Sequence, residues 1–147
     1  MGGDIAPEKP VPDRPLPVVR LIIPSASGKV LFLRRARTAY GDGGWCLPGG
    51  KVDYGEAVES AVRKELLEET SLECRKVRFL FYQDSLPPAP GSMHCINLYF
   101  ECSVSGELEM NPESSEWAWI GPEDLDLYHV VFRNDEALLR YWGESQP

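Results

Sequence analysis

The feature that most constrains this chain is a pair of glycines followed within a few residues by a predicted helix rich in glutamate. Gly49 and Gly50 precede the helix, and Glu65, Glu68 and Glu69 stand at positions i, i+3 and i+4 along it. At 3.6 residues per turn, these three carboxylates leave the helix on one face and lie close together. No lysine or arginine stands three or four positions from Glu65 or Glu69. The sequence therefore predicts a cation supplied from outside the helix.

A divalent metal ion is the cation best suited to such a cluster. Mg²⁺ prefers carboxylate and water oxygens, and it usually bridges protein carboxylates to the phosphates of a substrate. A glutamate-rich helix taken alone is more often a solvent-exposed face. The residues around the helix therefore decide between a metal site and an ordinary surface.

The spacing around the helix favours the metal site. Gly50 is followed after five residues by Glu56, and after seven more by the segment from Lys64 to Leu72, which is Lys-Glu-Leu-Leu-Glu-Glu-Thr-Ser-Leu. This pattern resembles the Nudix box. Residues 45–50, Trp-Cys-Leu-Pro-Gly-Gly, resemble the strand that enters the box in the same family. The chain is thus similar to Nudix hydrolases.

Two positions depart from the box. Lys64 stands where the family has arginine, which replaces a planar guanidinium with a flexible point charge. Ser71 stands where the family has glycine, at a helix end where a left-handed residue is common, at a cost on the order of 1 kcal/mol. All four glutamates of the box are present, so the resemblance implies a working hydrolase.

The resemblance also implies which residues bind metal and which catalyse. The implied ligands of Mg²⁺, or of Mn²⁺ as a substitute, are Glu65, Glu69, Glu68 and the carbonyl of Gly49. The general base that accepts a proton from the attacking water is Glu68, Glu69 or Glu116. Family members differ in this assignment, so the three stay open.

Glu116 enters this set because Nudix enzymes often keep one more glutamate ahead of the last strand. Both Glu113 and Glu116 precede the tryptophan-rich run 117–120. Glu116 is preferred because it directly adjoins that run, and a plain surface carboxylate is the alternative.

Three residues are expected to orient the loop and the helix rather than to react. They are Gly50, Glu56 and Lys64. Asp53 followed by Glu56 also resembles a capping box, with Asp53 as the cap that fixes where the helix starts.

Substrate contacts are expected from residues outside the box. Arg34 or Arg35, at the end of the second strand, is implied by the resemblance to hold a phosphate, with solvent exposure as the alternative. Tyr40, Tyr82 and Trp117 are candidates for stacking on a base. His94 is a candidate ligand contact, although an ordinary surface histidine is the more common outcome.

Length and charge restrict the organisation and the partners. A chain of 147 residues has room for one domain, predicted at 18–147 after a proline-rich arm at 1–17. The net charge of −8 argues against polymeric nucleic acid as a partner, since that binding relies on Lys and Arg.

The sequence contains no long apolar run that would predict a membrane span or a secretion signal. Four cysteines without zinc-ligand spacing predict free thiols in a reducing cytoplasm. Nudix domains often dimerise, so a homodimer is possible.

Apolar periodicity outlines the fold. Residues 18–23 and 30–33 predict a hairpin, and residues 77–82, 96–104 and 116–120 predict further strands. Helices are predicted at 57–70 and from Asn134 onward. The resemblance, which covers about 18–142, implies the Nudix α/β/α sandwich of the mixed α/β (α+β) class, with a mixed central sheet.

Three functional hypotheses follow from the resemblance. The favoured one is Mg²⁺-dependent hydrolysis of a phosphoanhydride in a nucleoside diphosphate linked to another group, such as ADP-ribose or a nucleotide sugar. It draws on Pro87 and Pro88, which lie about where ADP-ribose pyrophosphatases of the family carry a proline after the box. The second hypothesis is hydrolysis of a standard or oxidised nucleoside triphosphate to a monophosphate and pyrophosphate. The third is a nucleotide-sensing domain without catalysis.

Overall fold

The computed structural model describes residues 13–36 and 42–144. Most of the predicted arm, residues 1–12, and the candidate stacking residue Tyr40 lie outside the described residues, as do residues 145–147.

The described residues form seven strands, two α-helices and a 3-10 helix. In chain order these are β1 Leu16–Ile22, β2 Val30–Arg35, β3 Trp45–Cys46, β4 Gly49–Lys51, α1 Val58–Thr70, β5 Glu73–Ser85, β6 Cys95–Ser105, β7 Ser114–Ile120, the 3-10 helix Pro122–Leu127 and α2 Asn134–Glu144. None of the described helices has the length and apolarity needed to cross a membrane.

The strands form two sheets that share one layer. The first has the order β4-β1-β6-β5 and the second the order β3-β2-β7. Within the first sheet β1 and β6 run parallel, whereas β1 and β4, and β5 and β6, run antiparallel. The four-stranded sheet is therefore mixed, as predicted.

The two helices cover opposite sides of this layer, because side chains alternate across each strand. In β1, Leu21 packs in one buried cluster and Ile22 in the other; in β2, Leu31 and Phe32 divide in the same way. The first cluster holds Ala61, Val62 and Leu66 of α1, and the second holds Ala137, Leu138, Tyr141 and Trp142 of α2. The predicted sandwich of helix, strand layer and helix is confirmed.

The predicted hairpin is wrong in one respect. The chain does turn back between the two strands. Pro24 and Val30 form an isolated antiparallel β-bridge, and the Leu31 N–H donates to the Ile23 carbonyl over 3.2 Å. However, β1 and β2 belong to different sheets. Both edges of β1 are already paired, with β4 and β6, so β2 has no edge to join.

Strand β5 does not present one apolar face, although Val77, Phe79 and Phe81 alternate with other residues in the sequence. Its register against β6 shifts between Phe79 and Phe81, so that Phe79 pairs with Phe100 and Phe81 with Tyr99. An extra residue in one strand turns the following side chains to the other face. Phe81 is consequently buried against α2, while Phe79 is 54% exposed.

The predicted range of α1, 57–70, agrees with the structure, but the predicted cap, Asp53, is wrong. The cap is Ala57, which has no side-chain hydrogen bond to the helix. The Asp53 N–H instead donates to Glu56 Oε1 over 3.0 Å, and the Glu56 N–H donates to the Asp53 carbonyl over 3.0 Å. These bonds close a turn before the helix, so the pair braces the approach to the helix rather than its first turn.

The end of α1 matches the prediction. Ser71 adopts the left-handed conformation, with φ of 63°, and its N–H donates to the Leu67 carbonyl. A residue with a β-carbon is disfavoured there, whereas glycine is not.

We therefore expect Ser71→Gly to raise the free energy of unfolding by about 0.5–1 kcal/mol. Glycine relieves the backbone strain at this position, but part of the gain is lost because glycine gives the unfolded chain more conformational freedom. Urea denaturation measures the change. Ser103→Gly, in the extended strand β6, is the matched control and should lower stability, because glycine weakens a strand interior. Equal effects of the two substitutions would contradict the strain at Ser71.

Candidate active site

A cavity of about 900 Å³ lies where α1 meets the four-stranded sheet. This volume is typical of sites for small molecules, which span roughly 300–1,000 Å³. Its lining combines carboxylates of α1, glycines of β4, strand residues of β1 and β6, and residues of more distant segments, among them Glu65, Glu68, Glu69, Gly49, Gly50, Arg20, Asn97, Arg35, Glu113 and Phe132.

The two glycines let helix carboxylates approach β4. The Gly49 N–H donates to Glu69 Oε2 over 2.7 Å. A β-carbon on Gly49 would lie 2.0 Å from the Val19 carbonyl oxygen, and one on Gly50 would lie 2.5 Å from Glu65 Oε1. The Glu65 carboxylate thus occupies space that exists only because position 50 has no side chain.

Partial burial raises the pKa values of Glu65 and Glu69 above the ordinary range of a carboxyl group. Desolvation, together with the neighbouring charge of Glu68, raises the pKa of Glu65 to about 7. The pKa of Glu69 is raised to about 8, mainly by desolvation and also by the charge of Glu65, while the hydrogen bond from the Gly49 N–H and the cations of Arg20 and Arg35 oppose the shift. Placing both negative charges here is therefore unfavourable without an added cation.

The donor set fits a hard divalent cation. The groups at the cavity wall are carboxylates and backbone amides, and oxygen ligands of this kind suit Mg²⁺. Within residues 13–36 and 42–144, no three acidic, histidine or cysteine side chains converge into a closed cage. Mg²⁺ normally takes one or two protein carboxylates and completes its shell with water and substrate oxygens, so an open arrangement of Glu65 and Glu69 suits it.

A salt bridge braces the loop before the helix. Lys64 Nζ lies 2.9 Å from Asp53 Oδ2 and 2.9 Å from Glu56 Oε2. The hydrogen bonds to both carboxylates raise the pKa of Lys64, and the bonds from the Asp53 N–H and Lys64 lower the pKa of Glu56. A lysine can thus connect the loop to α1 at the box position where an arginine was expected.

Comparison with known proteins decides the family. The model described as the NUDIX domain matches residues 14–141. The chain belongs to the Nudix family.

Individual relatives agree with this assignment. Nucleoside triphosphatase NudI of Escherichia fergusonii is 35% identical over 97 residues, which are 60% of this chain and 69% of that protein. The MutT NUDIX hydrolase of Burkholderia pseudomallei is 28% identical, with a TM-score of 0.77 over 86% of this chain and 98% of that one. The MutT protein of Methanosarcina mazei is 22% identical, with a TM-score of 0.80 over 92% and 99% of the two chains.

The chain is therefore a Nudix hydrolase, an enzyme that acts on phosphoanhydride bonds. Enzymes of this family generally need a divalent metal, usually Mg²⁺, and act on small nucleotide substrates.

The structure separates the two arginines at the end of β2 in this Nudix hydrolase. Arg35 lines the cavity, and its guanidinium carbon lies 4.8 Å from the centre of the Phe132 ring. Arg34 points elsewhere: its Nη1 bonds Glu116 Oε1 over 2.8 Å and its Nε donates to the Gly43 carbonyl. Of the two candidates for a phosphate contact, Arg35 is the one that lines the cavity.

Glu116, the partner of Arg34 in this ion pair, does not line the cavity. Glu116 stands opposite Arg34 in the register of β7 with β2, so the two side chains share one face. Glu113, which the sequence ranked second, lines the cavity instead. The choice of Glu116 as the extra glutamate stays a prediction, and its cross-strand pairing with Arg34 accounts for its position outside the cavity lining.

Tyr82 and His94 do not line the cavity. Tyr82 lies on β5 with 60% of its surface exposed. His94 precedes β6, and its carbonyl accepts a hydrogen bond from the Leu16 N–H. Its neighbours Met93 and Cys95 line the cavity in its place.

The sequence analysis missed several cavity residues, among them Arg20, Asn97 and Phe132. Arg20 is only 8% exposed, Asn97 is 1% exposed, and the centre of the Phe132 ring lies 4.7 Å from the guanidinium carbon of Arg20 and 4.8 Å from that of Arg35. A signal for Arg20 was present, since it is the one charged residue in the apolar run 18–23. Asn97 alternates with apolar residues as any exposed strand position does, so its burial depends on strand pairing.

The raised pKa values predict how the stability of the metal-free protein depends on pH. Free glutamate has a pKa of about 4.3, so between that value and the folded values near 7 and 8 the folded protein holds protons that the unfolded chain has released. Their stabilising contribution is complete below about pH 4.3 and is lost as the pH rises through the folded values.

We therefore expect the Tm in the presence of a chelator to fall between about pH 5 and pH 8. Excess Mg²⁺ should restore it most at the alkaline end, because metal ligands must be deprotonated. Thermal melts at a series of pH values measure both effects. A Tm that shows neither dependence in this range would contradict the buried environment of the two carboxylates.

Proposed function

We propose that this Nudix hydrolase cleaves a nucleoside triphosphate to a nucleoside monophosphate and pyrophosphate. The observation that carries the proposal is the meeting of three box carboxylates with the Arg35 guanidinium at one cavity of about 900 Å³. Carboxylates with a divalent ion and a guanidinium are the groups that bind a polyphosphate. The 35% identity to nucleoside triphosphatase NudI supports the choice of substrate.

The proposed ligands of the ion are Glu65 and Glu69, with Glu68 and the Gly49 carbonyl as further candidates. When bound, a divalent ion neutralises phosphate charge and lowers the pKa of an attacking water. Gly49 holds one oxygen of Glu69 through its N–H and so fixes the direction of the carboxylate. Gly50 leaves the room that the Glu65 carboxylate occupies.

Proton transfer is assigned to a carboxylate with access to the substrate. Glu68 lines the cavity and is exposed, so it is the preferred general base, and Glu113 is the candidate from the far wall. Glu116 is less favoured because it pairs with Arg34 and does not line the cavity. Arg35 would bind the phosphates, since its charge is permanent at any working pH.

A second candidate substrate is a nucleoside diphosphate linked to another group, such as ADP-ribose or a nucleotide sugar. Pro88, one of the two prolines that favoured this substrate, lines the cavity. The cavity volume is also sufficient for a larger ligand.

Product analysis separates the candidates. The purified protein is incubated with Mg²⁺ and, separately, with nucleoside triphosphates, ADP-ribose and nucleotide sugars. Pyrophosphate and a monophosphate from a triphosphate are the expected products. Two monophosphate products from ADP-ribose or a nucleotide sugar, with triphosphates left intact, would overturn the proposal in favour of the second candidate.

We further propose a cytoplasmic location. All four cysteines, Cys46, Cys74, Cys95 and Cys102, are free, as predicted, which is typical of a reducing compartment. Whether the protein forms a homodimer stays a prediction, which light scattering of the purified protein would test.

A further inference from the structure

Arg20 of β1, Asn97 of β6 and Phe132 form the part of the cavity lining that we call the floor. Two buried polar atoms of this floor have no hydrogen-bond partner among the described residues. They are Nε of Arg20 and Oδ1 of Asn97. Only 8% of Arg20 is exposed, and Asn97 is almost completely buried. Leaving such groups unpaired costs about 1–3 kcal/mol each, and both residues line the cavity. A ligand that bonds both atoms would recover this cost.

A chain of hydrogen bonds fixes which atom Asn97 presents. Gln83 donates through Nε2 to the Arg133 carbonyl, so its Oε1 is left as an acceptor. That oxygen accepts from Asn97 Nδ2 over 3.1 Å and from the Tyr99 hydroxyl over 3.0 Å. The amide nitrogen of Asn97 is therefore committed to Gln83, and its carbonyl oxygen, in a residue that lines the cavity, is left as an acceptor without a partner among the described residues.

Backbone conformation maintains this chain of bonds. Phe132 and Arg133 are consecutive residues with positive φ, 61° and 57°, a conformation that non-glycine residues seldom adopt. The kink directs the Arg133 carbonyl to Gln83 and sets the Phe132 ring 4.7 Å from the guanidinium carbon of Arg20. Strain of this kind is retained where the surrounding structure uses it.

Along the sheet, Arg20 and Asn97 lie on the strands that follow β4, the strand that contacts the carboxylates of α1. Strand order places β4, with Gly49, beside β1, with Arg20, and then β6, with Asn97. Neighbouring strands are about 4.8 Å apart, so β6 is roughly 10 Å from β4. Arg20 stands opposite Tyr99 and is a diagonal neighbour of Asn97 on one face. A nucleotide with its phosphates at β4 would extend its base toward β6.

We propose that Arg20 and Asn97 form a subsite that binds a base carrying a ring N–H beside a carbonyl, as uracil, thymine and guanine do. This inference rests on the proposed function, because it takes the substrate to be a nucleotide. Asn97 accepts the ring N–H, and Arg20 donates to the carbonyl oxygen.

Because Asn97 can offer only its carbonyl oxygen, it cannot make the two-bond contact that asparagine makes with adenine. Asparagine ordinarily binds adenine through both its oxygen and its nitrogen, but the nitrogen of Asn97 is already used by Gln83. Cytosine and adenine present an unprotonated ring nitrogen, which repels the lone pairs of Asn97 Oδ1. The guanidinium of Arg20 also binds a carbonyl oxygen, the kind of acceptor that arginine contacts on guanine.

Paired substrates test the subsite. UTP and CTP differ only at ring position 3 and its neighbour at position 4, so the ratio of their kcat/KM values isolates the base contact. We expect wild-type protein to favour UTP over CTP, and GTP over ATP, by about tenfold or more. Asn97→Ala should lower kcat/KM for UTP and GTP by about tenfold or more and change the values for CTP and ATP little. Because each ratio is measured on one sample, partial misfolding of a variant does not alter it.

Arg20→Met is the second variant and should reduce the same ratios. Arg78→Ala is its matched control, because Arg78 pairs with Glu101 on β5 and β6 and does not line the cavity; it should leave both ratios unchanged. Equal UTP and CTP turnover by the wild type, or an equal loss for both in Asn97→Ala, would overturn the subsite while hydrolysis stands.

Binding of UMP and CMP, measured by calorimetry, tests the subsite without turnover. A preference for UMP that is lost in Asn97→Ala supports the subsite, even if no triphosphate is hydrolysed, in which case only the proposed function fails. Equal affinities of the wild-type protein for UMP and CMP overturn the subsite.

Discussion

Replacing Glu69 by glutamine is expected to lower metal-dependent kcat/KM by at least about 100-fold, the scale typical of losing a group that acts in the transition state. The amide oxygen of the new side chain can still accept from the Gly49 N–H, which in the native protein reaches Glu69 over 2.7 Å. The substitution thus removes charge and leaves the geometry of the turn. Steady-state hydrolysis at a series of Mg²⁺ concentrations measures the effect.

The matched control is Glu73→Gln, which removes an exposed carboxylate just beyond α1. It is expected to leave kcat/KM within about twofold, as surface substitutions generally have small effects. In a chelator at about pH 8, Glu69→Gln should melt at a higher temperature than the wild type, because it removes a charge that burial disfavours. Unchanged metal-dependent turnover in Glu69→Gln would refute the assignment of this residue.

Replacing Asn134 by alanine is expected to lower the free energy of unfolding by about 3 kcal/mol or more. Asn134 is completely buried at the start of α2. Its Oδ1 accepts from the Leu47 N–H over 2.8 Å, and its Nδ2 donates to the Tyr99 hydroxyl over 3.1 Å. Alanine would leave both of these buried groups without that partner. Urea denaturation of the metal-free protein measures the loss.

Asn111→Ala is the control for this loss. Asn111 Oδ1 accepts from the Glu113 N–H over 3.0 Å, but in an exposed loop where water can replace it. Its removal should cost no more than about 0.5 kcal/mol. Similar losses for Asn111→Ala and Asn134→Ala would mean that burial of the Asn134 bonds is not what makes them important.

Sequence reasoning succeeded where structure is local. The family assignment and the left-handed Ser71 follow from spacing within one turn and one helix, and both are confirmed. The grouping of Glu65, Glu68 and Glu69 at one cavity follows equally from helical periodicity.

Sequence reasoning did not predict the surroundings of side chains that depend on how the strands pair. Arg34 and Arg35 are adjacent, and only the register with β7, which sets Arg34 opposite Glu116, separates their surroundings. The bulge that turns Phe81 toward α2 leaves no mark in an alternating pattern. Asn97 owes its environment to Gln83 on β5 and to β1 on its other side, neither of which its neighbours in sequence reveal.

The division of the cavity between chain segments has a consequence for how such an enzyme can change. The acidic wall is built from one continuous stretch, 49–69, whereas the floor combines β1, β6 and the bend at 132–133. On the proposed assignment, substitutions on the floor would alter which nucleotide is accepted and leave the hydrolytic half unchanged. New substrate preferences would then be accessible to this scaffold through changes at a few scattered positions.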